Sequence, residues 1–160
     1  VKIVLAIVTS ALVAQQALAL SCLRPDVVRS YEQAALADEI YVMLLGRFTF
    51  DAAELPKGQD VQPPGQDRSA SLSAEFVGHG LNRSGFVVPV ERSVTLSVQC
   101  WAAWCGGLAS GGLGMAFAER TAEGYVVKID PCGTQFFPDP SDAMIEQAVA
   151  CMQGHSCRSD

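Results

Sequence analysis

The chain has 160 residues, 49% of them hydrophobic and 18% charged, with 17 acidic against 11 basic side chains and a formal net charge of -6. That length accommodates one domain with a substantial core. The acidic balance excludes a protein held to a nucleic-acid backbone by charge.

The first element is an apolar run, Val1 to Leu20, with the three zones of a secretory signal: Lys2 as the positive region, Ile3 to Val13 as the apolar core, and small residues at Ala17 and Ala19 for the peptidase. The apolar core is too short to span a bilayer. Val1 where methionine is usual suggests a GUG start read literally, hence a bacterial source. Two cuts fit: after Ala19, making residues 1–19 the signal peptide and 20–160 the domain, or after Ser21, leaving Cys22 at the N-terminus. A lipidated Cys22 would anchor the protein to a membrane, but Ala19-Leu20-Ser21 is a poor match to the small residues such a site needs. Losing Lys2 with the leader takes the net charge to -7, which favours a periplasmic or extracellular protein.

Past Cys22, Val28 to Leu36 is rich in Glu, Gln and Ala behind Pro25 and Asp26, which predicts a helix ending near Asp38. Ile40 to Phe50 reads as a long, mostly buried strand that Gly46 lets bend, with Asp51 turning the chain beyond it. Leu55 to Arg68 has prolines and glycines in quick succession and no apolar period, so it is expected to be a surface loop. Strands are then expected at Ser71 to Val77, Phe86 to Val88, Ser93 to Cys100, Gly114 to Arg120 and Tyr125 to Asp130; Val94, Leu96 and Val98 share one face. Short strands at this spacing point to a small barrel or sandwich. The glycine-rich stretch Gly106 to Gly114 lacks the Lys-Ser/Thr ending of a phosphate-binding loop and reads as a flexible connection. Glu123-Gly124 marks a hairpin turn. Ser141 to Met152 carries Met144, Ile145, Ala148, Val149 and Met152 on one helical face, with Gly154 as its stop.

All six cysteines lie beyond the apolar run, and in an exported chain they read as three disulfides with fifteen possible pairings. Zinc is the poorer reading: there is no C-x-x-C, and His79 and His155 stand far apart in the chain. Trp104-Cys105-Gly106-Gly107 faintly echoes thiol-disulfide oxidoreductases, but the second cysteine of that motif is missing. Catalytic motifs are equally lacking. Both histidines sit among turn residues with no nucleophile elbow or zincin motif, and Asp38-Glu39 reads as a solvated helix end. No catalytic residue, metal site or cofactor is therefore assigned. Asn82-Arg83-Ser84 is a glycosylation sequon with meaning only in a eukaryote. Of Trp101 and Trp104, one is expected to pack in the core and the other to offer an exposed contact to a partner.

Taken together, several segments resemble the tissue inhibitors of metalloproteinases and the wider netrin-like modules. They are Cys22 before a short helix, Ala37-Asp38-Glu39-Ile40-Tyr41-Val42 leading to Gly46-Arg47-Phe48, Trp104-Cys105-Gly106 before a glycine-rich loop, Met115-Ala116-Phe117, Tyr125 to Cys132, and Cys151 after a terminal helix. The resemblance spans most of the chain beyond the leader. It implies a mainly β fold: a five-stranded OB-fold Greek-key barrel, disulfide-stapled, with an N-terminal and a C-terminal helix.

That family opens with Cys-x-Cys, the second cysteine bonded to the one closing the last barrel strand. Leu20 replaces the first cysteine here, so the resemblance pairs Cys22 with Cys132. It leaves Cys105 and Cys151 without family partners, the helix position near Ala35 being alanine, and their new neighbours give Cys100–Cys105 and Cys151–Cys157. In the inhibitors the amine and carbonyl of the first cysteine chelate a protease's zinc. The resemblance thus implies a non-enzymatic binding or structural module, expected to be a monomer, whose partner is a protein, with inhibition of a zinc metalloprotease through the N-terminal segment as the alternative; Leu20, Ser21, Cys22, Trp101 and Trp104 are the candidate contacts. Nucleic acid is not expected, and neither is a membrane unless Cys22 is lipidated.

Overall fold

The computed structural model describes residues 21–56, 69–101, 104–155 and 157. The expected signal peptide, Leu20, and residues 57–68 of the expected surface loop lie outside the described residues. Asp26 opens helix α1 (Val27–Leu36): its backbone is extended and its Oδ1 accepts from the Arg29 N–H at 3.0 Å, satisfying one of the first-turn amides. Strand β1 (Tyr41–Thr49) follows, then a single 3-10 turn over Ala52–Glu54. The remaining strands are β2 (Ala70–Asn82), β3 (Gly85–Val98), β4 (Cys100–Trp101), β5 (Trp104–Cys105), β6 (Leu113–Arg120), β7 (Tyr125–Ile129) and β8 (Phe136–Pro138). Helix α2 (Asp142–Gln153) closes the order; Ser141 caps its start, and Gly154, at φ 77°, takes the left-handed conformation that ends it.

Five strands close a barrel in the order β1-β2-β3-β7-β6 and back to β1. All contacts are antiparallel except β3 with β7, where Thr95 to Val98 run parallel to Val126 to Ile129. The short β8 extends the wall along the half of β6 that β7 leaves unpaired.

Alternation along β1 and β6 produces two cores, because both faces of these strands are covered. Leu44, Phe48, Ala116 and Ala118 face the barrel interior with Leu72, Phe76, Leu96, Val127 and Phe136. Met43, Met115 and Phe117 face outward and are buried with Val27 of α1, Ala148 of α2 and Phe137.

A row of three glycines crosses the wall: Gly78 on β2 pairs with Gly46 on β1, which pairs in turn with Gly114 on β6. Phenylalanine rings occupy the space their side chains would need. A Cβ at Gly114 would lie 2.6 Å from the Phe136 ring, and one at Gly46 2.8 Å from that of Phe76. Phe48 lies between these rings, 4.8 Å from Phe76 and 5.6 Å from Phe136 between centroids. Gly46 therefore does more than permit a bend.

The strands and one connection differ from expectation. The strands expected at Phe86 to Val88 and Ser93 to Cys100 are one strand, β3, and its partner β2 runs five residues past Val77. Pro89 does not break β3, because β7 pairs only with Thr95 to Val98, leaving Pro89 on an open edge where its missing N–H breaks no ladder. Three-residue β8 has too short a run to show any period. The glycine-rich connection is fastened to the end of β1: Arg47 Nη1 donates to the Gly111 carbonyl at 2.7 Å, the Gly111 N–H donates to the Phe48 carbonyl at 2.7 Å, and Ser110 Oγ donates to the Phe50 carbonyl at 2.7 Å.

Candidate functional site: the N-terminal segment and the tryptophan hairpin

The disulfides are Cys22–Cys132, Cys100–Cys105 and Cys151–Cys157, the pairs that the family resemblance implies. Cys22–Cys132 joins residues 110 apart in sequence and ties the N-terminal segment to the turn that follows β7. A buried carboxylate shapes that turn. Asp130, 6% exposed, accepts from the Cys132 N–H at 2.8 Å and the Thr134 N–H at 3.0 Å, so its charge is met by donors despite burial. Ser30 Oγ of α1 donates to the Thr134 carbonyl, fixing the helix against the same turn.

The second component, β4 and β5, is a ribbon with Cys100 opposite Cys105 and Trp101 opposite Trp104. Neighbouring residues on a strand point to opposite faces, so the disulfide occupies one face and the tryptophans the other. The base of the ribbon is fixed to the barrel: the Gln99 N–H donates to the Ile129 carbonyl at 2.9 Å and the Gly106 N–H to the Gln99 carbonyl at 2.8 Å. Glycine is required at 106 because a Cβ there would collide with the Ile129 carbonyl. That seat on the end of β7 brings the ribbon beside the Cys132 turn.

Both tryptophans are exposed, Trp101 by 41% and Trp104 by 55%. This corrects the expectation that one packs in the core: a two-residue strand outside the barrel has no interior face to bury either ring. A cleft of about 220 Å³ separates Trp101 from the N-terminal segment and the start of α1; Ser21, Cys22, Arg24, Arg29 and Cys132 also line it. Of the candidate contacts, the structure thus brings Ser21, Cys22 and Trp101 together, sets Trp104 beside Trp101, and leaves Leu20 outside the described residues.

Arg24 and Arg29 were not legible as site residues. Arg24 has only its place two residues after Cys22 as a signal, and Arg29 reads as an ordinary helix cation. Arg29 Nη1 donates to the Arg24 carbonyl at 3.3 Å and Nη2 pairs with Asp26 at 3.4 Å. Leu23, 73% exposed, extends the apolar surface of the segment.

The histidines stand elsewhere. His79 lies within β2, opposite Pro89, and not in the expected turn; its flanking glycines belong to the strand. His155 follows the Gly154 cap of α2. Another polar cluster sits on the barrel wall, where Lys128 Nζ pairs with Glu119 at 2.9 Å and Gln135 Nε2 donates to the Tyr41 hydroxyl at 3.3 Å. The hydrogen bond to Glu119 raises the Lys128 pKa above its ordinary value, outweighing partial burial, which lowers it.

Comparison of the chain with protein-family models, curated proteins and solved structures returns no match.

Proposed function

We propose that the protein is an exported, non-enzymatic binding module, with an OB-type barrel resembling that of the tissue inhibitors of metalloproteinases and netrin-like domains. It binds a protein through the face formed by the N-terminal segment and the tryptophan hairpin. The observation that carries this reading is the juxtaposition of a disulfide-tethered Ser21-Cys22 segment with two exposed tryptophans on a ribbon that a second disulfide closes. Tryptophan is enriched at interface hot spots, and a rigid presentation lowers the entropy lost on association. Closure of five strands with a single parallel contact, β3 to β7, supports the OB reading.

Site-specific photo-cross-linking tests it. A benzophenone side chain at Trp104 is expected to trap a discrete partner, whereas one at Leu36, exposed near the end of α1, is not. Equal trapping from both positions would remove the hairpin face as the binding surface.

A second reading, metalloprotease inhibition through the N-terminal segment, is favoured by the exposure of Ser21 and Cys22 next to the tether. It requires a free amine at that segment. N-terminal sequencing combined with inhibition assays on a panel of zinc proteases tests it; no slowing at micromolar protein rules it out for those targets.

A further inference from the structure

The cleft beside Trp101 is small. Its volume of about 220 Å³ lies below the roughly 300–1,000 Å³ of pockets that enclose cofactors and other sizeable small molecules. It suits one anchoring side chain of a larger partner.

Its charge is opposite to that of the whole chain. The lining residues include two arginines, Arg24 and Arg29, and one acid, Asp26, in a protein of net charge -6. Asp26 is already engaged, capping α1 with Oδ1 and pairing with Arg29 through Oδ2. Arg29 uses one terminal nitrogen on Asp26 and the other on the Arg24 carbonyl. The guanidinium of Arg24 has no acceptor among the described residues. Half-exposed Trp101 lines the same cleft and is its large apolar residue.

We propose that this cleft is the anchor pocket for a carboxylate side chain, Glu or Asp, on the partner protein; the proposal rests on the reading of this face as a protein-binding surface. Arg24 offers the planar fork of donors that a carboxylate accepts in bidentate fashion. Trp101 packs along the methylene stem. A partner lysine or arginine at the same place would meet two like charges, which adds discrimination to affinity. Local attraction prevails over the acidic charge of the chain at physiological salt, because exposed charges beyond roughly 8 Å are largely screened.

The two tryptophans give the protein two indole N–H signals, both from this face. Uniformly ¹⁵N-labelled protein is titrated with acetylated, amidated Ala-Glu-Ala and, separately, Ala-Gln-Ala, the signals being assigned with Trp101→Phe and Trp104→Phe. The glutamate peptide is expected to move the Trp101 signal, the glutamine peptide to leave it in place, and added salt to weaken the response. Arg24→Gln is expected to lower the affinity about tenfold or more, as for loss of a charge-assisted hydrogen bond, while Arg24→Lys retains part of it. An unchanged backbone spectrum checks that the variants fold.

Equal responses to the two peptides, unaffected by Arg24→Gln, would overturn the carboxylate pocket and leave the face a binding surface. No response to either peptide would overturn it as well, as would a response only to phosphatidylserine vesicles, which would assign the face to a membrane. Cross-linking from Trp104 is independent of this charge, so failure of the pocket and failure of the protein-binding reading are distinguished.

Discussion

The flank of the barrel beneath the helices and the end that carries the tryptophan hairpin both present large apolar side chains, and they treat them in opposite ways. On the flank, Met43, Met115, Phe117 and Phe137 are at most 4% exposed, held by α1 and α2. At the hairpin, Trp101, Trp104 and Leu23 remain in water. Two of the three disulfides serve the hairpin end, Cys22–Cys132 and Cys100–Cys105. On the flank burial is extensive and the one disulfide, Cys151–Cys157, closes a short loop at the end of α2; where apolar surface is left open, two cross-links, one of them spanning 110 residues, hold the backbone in its place. The contrast separates the residues that stabilise the fold from those available to a partner.

The sharpest way to break this contrast is to remove the long tether. Replacing Cys22 and Cys132 with serine is expected to cost about 4–5 kcal/mol, the loop-closure entropy of so long a loop in the chain-entropy model, read from denaturant unfolding under oxidising conditions. On the flank, Phe117→Ala is expected to cost about 3–5 kcal/mol and to leave cross-linking from the hairpin intact in the folded fraction. Replacing Cys100 and Cys105 with serine should cost only about 2 kcal/mol, because the loop is short, yet it should reduce partner trapping from position 104. If trapping survives that change in full, the ribbon owes its binding shape to something other than the staple.

Lys128 is a control on the barrel wall. Its raised pKa means that the pairing with Glu119 contributes fully below the ordinary lysine value of 10.5 and is lost as pH rises through the higher folded value. Lys128→Met is therefore expected to cost at most about 1 kcal/mol at neutral pH, the pair being partly exposed, with the difference vanishing in strongly alkaline buffer. The smallest effect falls at the hairpin: Trp104→Ala should shift stability by no more than about 0.5 kcal/mol. A larger loss in a thermal melt would mean that the ring packs against the barrel and is not held for a partner.

Much of the fold was legible because its signals are local. Asp26 and Ser141 mark helix starts and Gly154 a helix stop by chemistry that needs no tertiary context, and Val94, Leu96 and Val98 show their common face by alternation. Phe86 to Val88 and Ser93 to Cys100 read as two strands where β3 is continuous, because whether a strand can run through Pro89 depends on which edge of β3 lacks a neighbour, a property of the sheet and not of the segment. Trp101 and Trp104 were legible as candidate contacts with one of them exposed, but the exposure of both was not: hydrophobicity marks a ring as fit for burial, and the seat of the ribbon on β7 decides that neither is covered. Arg24 became a candidate only when Trp101, distant in sequence, was found across the same cleft.

The glycine row has a consequence for the interior of the barrel. Backbone approach along Gly78, Gly46 and Gly114 draws the Phe76, Phe48 and Phe136 rings together across the interior. Among the described residues these rings fill space inside the barrel, unlike barrels whose strands stand far enough apart to hold a guest. On the proposed reading as a binding module, recognition falls to the outside, to what hangs from the rim, and a new specificity could be written there without disturbing the plug.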